Sequence, residues 1–218
     1  MGSAARDYYC VPRRLAYSLG AFVLLLAVVV PLAAWVTAPS WLPRVPALLD
    51  EDQPIADPDV VVLKASGESN EAVRQAARLW RGGRVQQVAI FGVPFTPDNL
   101  VMPAHSPRYE QLVEQGVPAG SIVEIYQGDD IYEELEAVRG AAQQRGWRRV
   151  LFYADGPGSR RSLVAARRIL GEAGITVGQT TFPAPWFDGQ TWWRPGQART
   201  IVFVRAVQLG FTLVSNRT

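Results

Sequence analysis

The sequence predicts an α/β domain of three layers, with a mostly parallel five-stranded sheet, preceded by one transmembrane helix. Two observations carry the domain. Five short apolar runs alternate with helical stripes between Asp59 and Thr180, and the stripes stop at glycine. A third observation carries the helix: Leu15–Val36 is 22 residues without a charge, and about 20 apolar residues cross a hydrocarbon core.

Taken in order, Val60–Leu63 is a continuous β-branched run, suited to a strand covered on both faces. A helix follows from about Asn70 to Arg81, with Val73, Ala76, Ala77 and Trp80 on one face, and Gly82-Gly83 stops it. Val85–Phe91 is the second strand. Gly92–Ser106 reads as a long proline-rich loop, and Pro107–Gln115 as a helix ended by Gly116. Ser121–Tyr126 is the third strand. Asp129 or Asp130 then caps a helix running to about Gln144, with Glu133 and Glu134 in its first turn. Val150–Tyr153, a helix over Ser162–Ala173 and a strand over Ile175–Thr180 complete the alternation. Right-handed crossovers place every strand-to-helix turn on one edge of the sheet. Thr181–Ala198, with three tryptophans and no period, reads as a lid-like or packing loop; Thr200–Val214 reads as a last helix or an edge strand.

Composition removes whole classes of chemistry. The net charge is +2, which gives a nucleic-acid partner no support. Cys10 is the only cysteine and His105 the only histidine, so disulfides and Cys/His zinc sites are excluded, and a Ser–His–Asp triad could use only His105. No metal site and no cofactor are expected. Lys64 is the only lysine.

Around the uncharged run, Arg6, Arg13 and Arg14 lie on the amino side, while Arg44, Asp50, Glu51 and Asp52 are the first charges beyond it. The basic excess predicts a cytoplasmic N-terminus (1–14), a signal anchor (15–36) and an extracytoplasmic remainder in the plasma membrane of the cell. A cleaved signal peptide is the alternative, because Val36-Thr37-Ala38 loosely resembles a cleavage site; Pro39 and the length of the run argue against it. Cys10 precedes the run and is no lipoprotein cysteine. Trp35 and Trp41 bracket the outer interface. Residues 37–58, with prolines at 39, 43, 46, 54 and 58, read as an extended stalk, and the domain occupies 59–218.

The stretch Arg149–Ser162 combines a strand, the turn Ala154-Asp155-Gly156-Pro157-Gly158 and a helix start at Ser159, followed by Arg160 and Arg161. That order aims free N–H groups and positive charge at the sheet's carboxyl edge, where ligands of open α/β sheets collect. An ordinary solvated turn has the same pattern.

Three local strings stand out: Gly116-Val117-Pro118-Ala119-Gly120-Ser121-Ile122 before the third strand, Asp130-Ile131-Tyr132-Glu133-Glu134, and Arg161-Ser162. They resemble the YdcF/SanA/ElyC-like family of bacterial envelope proteins. The resemblance covers about residues 58–180, with a weaker echo through Trp192-Trp193, and implies a Rossmann-like fold and a role in envelope or peptidoglycan maintenance. Glu133 and Arg161 match family positions. Lys64-Ala65-Ser66-Gly67 stands where the family has glycines, Phe91-Gly92-Val93 in place of its second motif, Ile131 and Glu134 in place of threonine and asparagine, and Gly158 about where it has histidine. A nucleotide-like ligand such as S-adenosylmethionine is suggested for a cytosolic-type member of the family; an extracytoplasmic domain has no supply of it.

The candidate ligand-binding residues are therefore Lys64, Ser66, Glu133, Asp155, Ser159 and Arg161, with Glu133 the best candidate for a catalytic base. Each has a structural alternative: a helix-start carboxylate for Glu133 and Glu134, a turn residue for Asp155, a Glu133–Arg161 ion pair for Arg161. Lys64 and Ser66 lie in a turn without the P-loop signature. His105 reads as solvent-exposed, and Trp186, Trp192 and Trp193 as packing rather than a sugar platform. Three readings follow: a single-pass envelope protein binding a small anionic or glycan-linked ligand; a non-catalytic module docking a membrane protein partner through the tryptophan-rich loop; or a hydrolase or transferase using Glu133. The expected partners are the lipid bilayer and an envelope precursor or membrane protein.

Overall fold

A computed structural model describes residues 13–64, 70–95, 102–104, 107–126, 128, 130–182, 184 and 187–215. The chain divides into two compact units, Met1–Leu42 and Pro43–Thr218.

The first unit is helix α1, Arg13–Trp41, which continues through Pro31 and Pro39. Its described apolar side chains, Phe22 to Val36, are exposed. An apolar helical stretch of 28 residues, Phe22–Leu49, containing an 18-residue window of mean hydropathy 2.3, is long and apolar enough to cross a membrane.

The second unit opens with the short helix α2, Val45–Leu49, followed by strand β1, Val60–Leu63, and helix α3, Asn70–Arg81. Next come β2, Gln87–Phe95; β3, Met102–Ala104; α4, Pro107–Glu114; β4, Ile122–Tyr126; and α5, Ile131–Arg145. The chain closes with β5, Arg149–Asp155; α6, Ser159–Glu172; β6, Thr176–Phe182; and α7, Gly196–Val214. Five strands pair in parallel in the order β4-β2-β1-β5-β6. The α/β class and the parallel sheet are as the sequence predicts.

Continuous apolar strands are what a sheet covered on both faces requires. Val60 and Val62 face α5 and α6, packing among Val138, Leu163 and Leu170. Val61 and Leu63 face the other layer, among Val73, Ala77 and Leu112. All four β1 residues are buried, as befits the central strand.

Two sequence expectations need correction, and one left open between helix and strand is resolved. Gly92–Ser106 is not all loop: Val93–Phe95 extend β2 and pair antiparallel with β3. Thr200–Val214 is a helix, because its apolar residues recur with helical spacing and α6 offers it a packing surface. Residues 43–58, expected as an extended stalk, belong to the domain. There Gln53 bridges Gln179, and Asp52 accepts from the Thr181 N–H at 3.2 Å. Prolines made this segment look unstructured, whereas its acids fasten it down residue by residue.

Candidate functional site

The strand order reverses between β1 and β5, so the topological switch point lies beyond Leu63 and Asp155. Lys64 follows β1 there. Its N–H donates to the Tyr153 carbonyl at 3.2 Å, its carbonyl accepts from Arg108, and its ammonium donates to Ser162 Oγ. That bond makes the serine hydroxyl an acceptor toward a cation, which opposes its use as an activated nucleophile.

After β5, Gly158 is the N-cap of α6 with φ +110°, a conformation that favours glycine. A Cβ at this position would also lie 2.9 Å from Arg205 Cδ. A histidine, expected here from the resemblance, would meet both obstacles.

The N-terminus of α6, predicted as an open anion site, is filled by the chain itself. Asp50 Oδ1 accepts from the Gly158 N–H at 3.2 Å and lies 3.4 Å from Ser159 Oγ. The Glu51 N–H donates to Ser159 Oγ at 2.8 Å, and the buried Gln179 amide donates to the carbonyls of Glu51 and Ser159 at 2.9 and 3.0 Å. Burial pushes the Asp50 carboxyl up to about 6, against the lowering effect of Gly158 and Ser159. Ser159 is therefore a buried structural residue, 2 % exposed, rather than a ligand contact. Arg160 turns to Glu51 as well, at 3.3 Å.

Arg161 faces the other way. Its Nε donates to Thr212 Oγ1 at 3.2 Å and another guanidinium nitrogen to Gln208 Oε1 at 3.4 Å. Arg205 donates to the same Gln208 Oε1 at 3.4 Å. Thr212 is fully buried and also lies 3.5 Å from the Tyr132 hydroxyl. Two partly buried guanidinium groups thus share one neutral acceptor. Burial lowers the Arg205 pKa, and the charge of Arg161 adds to the effect.

The carboxylate that feels Lys64 and Arg161 is Glu134. It is partly buried, and burial raises its pKa; Lys64 pulls it down, Asp130 pushes it up and Arg161 pulls it down. Glu133 is exposed. The wheel of α5 explains the difference, since Ile131, Leu135, Val138 and Ala142 form the buried stripe. Glu134 flanks that stripe, whereas Glu133 projects from the opposite side. Asp130 caps the helix as expected, accepting from the N–H groups of Tyr132 and Glu133 at 2.8 and 3.0 Å.

Of the predicted site residues, Lys64 and Arg161 come together at the switch point. Glu134 replaces Glu133 there, and Ser159 is withdrawn into the α6 cap. Asp155 ends β5, with its side chain outside the described set; Ser66, His105 and Trp186 lie outside the described residues. Arg205, Gln208 and Thr212 were not singled out, because they come from a helix whose placement no local pattern announces. Trp192 is buried and meets Trp193 edge-on at 6.2 Å, a packing arrangement.

A cleft of about 540 Å³ lies at the opposite, amino edge of the sheet, lined by residues including Asp59, Arg84, Gln87 and Trp147. Three of its polar groups are already engaged: Trp147 Nε1 donates to Gln87 at 2.9 Å and Asp59 caps β5. The chemistry, by contrast, collects at the carboxyl edge. No group of three or more His, Cys, Asp or Glu side chains suited to a metal occurs among the described residues. No family model matches the chain, and no curated protein matches it.

Proposed function

We propose that this is a membrane-anchored protein whose α/β domain binds a small anion, a phosphate- or carboxylate-bearing ligand, at the carboxyl ends of β1 and β5. Arg161, Arg205 and Lys64 are its anion contacts in this reading, and Glu134 is the group that discriminates by protonation state. One observation carries it: two partly buried guanidinium groups, from α6 and α7, have only a neutral carbonyl oxygen between them. Holding like charges together under partial desolvation is unfavourable, and an anion with several oxygens relieves it.

The anchor rests on α1, which is long and apolar enough to span. Arginines on its amino side favour an extracytoplasmic domain. A role in envelope or peptidoglycan maintenance, with a glycan-linked ligand, rests on the resemblance to the YdcF/SanA/ElyC-like family.

The test is thermal unfolding of the full-length protein in detergent, with sulfate, phosphate or pyrophosphate added. The reading expects a concentration-dependent rise in Tm that Arg161→Ala and Arg205→Ala abolish. Arg167→Ala, which removes an exposed ion pair to Glu51, should keep it. A rise equal in all four proteins, or no rise with any anion, sinks the site.

A further inference from the structure

The outer face of α7 is an exposed apolar surface of the domain. Phe203, Val204, Val207 and Val214 are 69, 43, 56 and 86 % exposed. At 100° per residue they fall within one sector, nearly opposite the buried side of the helix at Val202, Leu209 and Thr212. No charged residue lies within this sector. Phe211, also in it, is 56 % exposed.

We infer that this face of α7 rests on the surface of an anionic lipid bilayer, its apolar side chains in the headgroup–acyl boundary. The proposal assumes the anchored reading above and adds a second membrane contact to it.

Three observations select lipid over a protein partner. The first is charge: Asp188 is the last acid, and the 30 residues after it carry four arginines and no carboxylate side chain. Of these, Arg194 and Arg199 are exposed at the amino end of α7, where they can meet lipid phosphates. The second is size. The exposed apolar side chains amount to roughly 500 Å², short of the roughly 800 Å² per partner that a specific dimer needs. An amphipathic helix lying in a lipid interface requires no such complementary surface.

The third is covalent reach. Only Leu42–Arg44 separate α1 from α2, and α2 packs on α7. Four residue steps span about 14 Å at full extension. The chain therefore tethers α2 to the end of α1 by no more than this length.

The experiment uses the full chain with Cys10→Ser, carrying one bimane label at Val207→Cys or Val214→Cys, in phosphatidylcholine nanodiscs with or without phosphatidylglycerol. The control is Val113→Cys, an exposed apolar position on α4 in the opposite layer. The inference expects doxyl groups high on the acyl chain to quench both α7 labels, and iodide to reach them several-fold less than the control. Omitting phosphatidylglycerol, or combining Arg194→Gln with Arg199→Gln, should reduce the doxyl quenching. Labels on α7 as open to iodide as the control overturn the inference. Labels shielded from iodide yet untouched by doxyl also overturn it, in favour of a protein cover or a second copy. Protein that fails to co-elute with the discs overturns the anchor as well; disc-bound protein with exposed α7 labels overturns only the α7 contact.

Discussion

Arg161 and Arg205 both donate to Gln208 Oε1, each at 3.4 Å, so one uncharged oxygen mediates between two guanidinium groups. Gln208→Glu supplies the missing charge at nearly constant volume. The variant should unfold about 2–4 °C higher, a gain of about 1 kcal/mol in a domain of this size. It should also lose the stabilisation that phosphate or pyrophosphate gives the parent protein, because its own carboxylate occupies the site. Melting curves with and without anion check both halves, and a variant that still responds fully to anion contradicts the site.

Glu134 puts a pH dependence on that binding. Its pKa is raised by burial, so it takes up a proton more readily than an exposed glutamate. Protonation removes a negative charge beside Lys64 and Arg161, and anion affinity should rise as the pH falls through this titration. Glu134→Gln should bind pyrophosphate roughly five- to tenfold more tightly at neutral pH and lose the part of the pH dependence that Glu134 adds to the ligand's own titration. The exposed Glu133, changed to Gln, should do neither. Isothermal titration at several pH values decides between them.

Asp50 governs stability rather than binding. Its folded pKa of about 6 lies above the ordinary 3.8, so between those values the folded state holds more protons than the unfolded one. Stability therefore falls as pH rises through that window, and the cost is fully present above pH 6. For a partly exposed carboxyl the effect is on the order of 1–2 kcal/mol after solvent screening. Asp50→Asn, which keeps an acceptor for the Gly158 N–H, should stabilise the protein at pH 8 and leave it nearly unchanged at the acid end. Urea titrations at both pH values would expose an opposite trend.

Gly158 is held by two constraints, a positive φ of 110° and Arg205 Cδ 2.9 Å from where a Cβ would sit. Gly158→Ala should cost about 2 kcal/mol or more. Adding Arg205→Ala should recover only the steric part, so the two effects will not add. Full additivity in a double-mutant cycle would mean that the two residues do not touch.

How much of this could be read in advance varies with the range of the interaction. The strands and the caps of Asp130 and Gly146 are local events, legible in runs of β-branched residues and in single turn residues. Glu134 was also within reach, since its place beside the Ile131–Leu135 stripe follows from helical geometry alone; the family pattern drew attention to Glu133 instead. Asp50 was not legible. Its partner is 108 positions away, and proline composition describes a segment's freedom in isolation, not the acceptors it finds on a folded surface.

By itself, the sequence determined that this chain builds a covered parallel sheet behind an apolar helix long enough to span a bilayer. Periodicity and hydropathy are summed along the chain, so they survive without any knowledge of neighbours. Only the tertiary structure decided what the turn after β5 does. Strand order set it beside Lys64, α7 brought Arg205 and Gln208 over it, and the chain's own Asp50 took the helix end that had seemed open to a ligand. Those contacts join residues far apart in sequence, and no local pattern encodes which distant carboxylate or guanidinium will arrive.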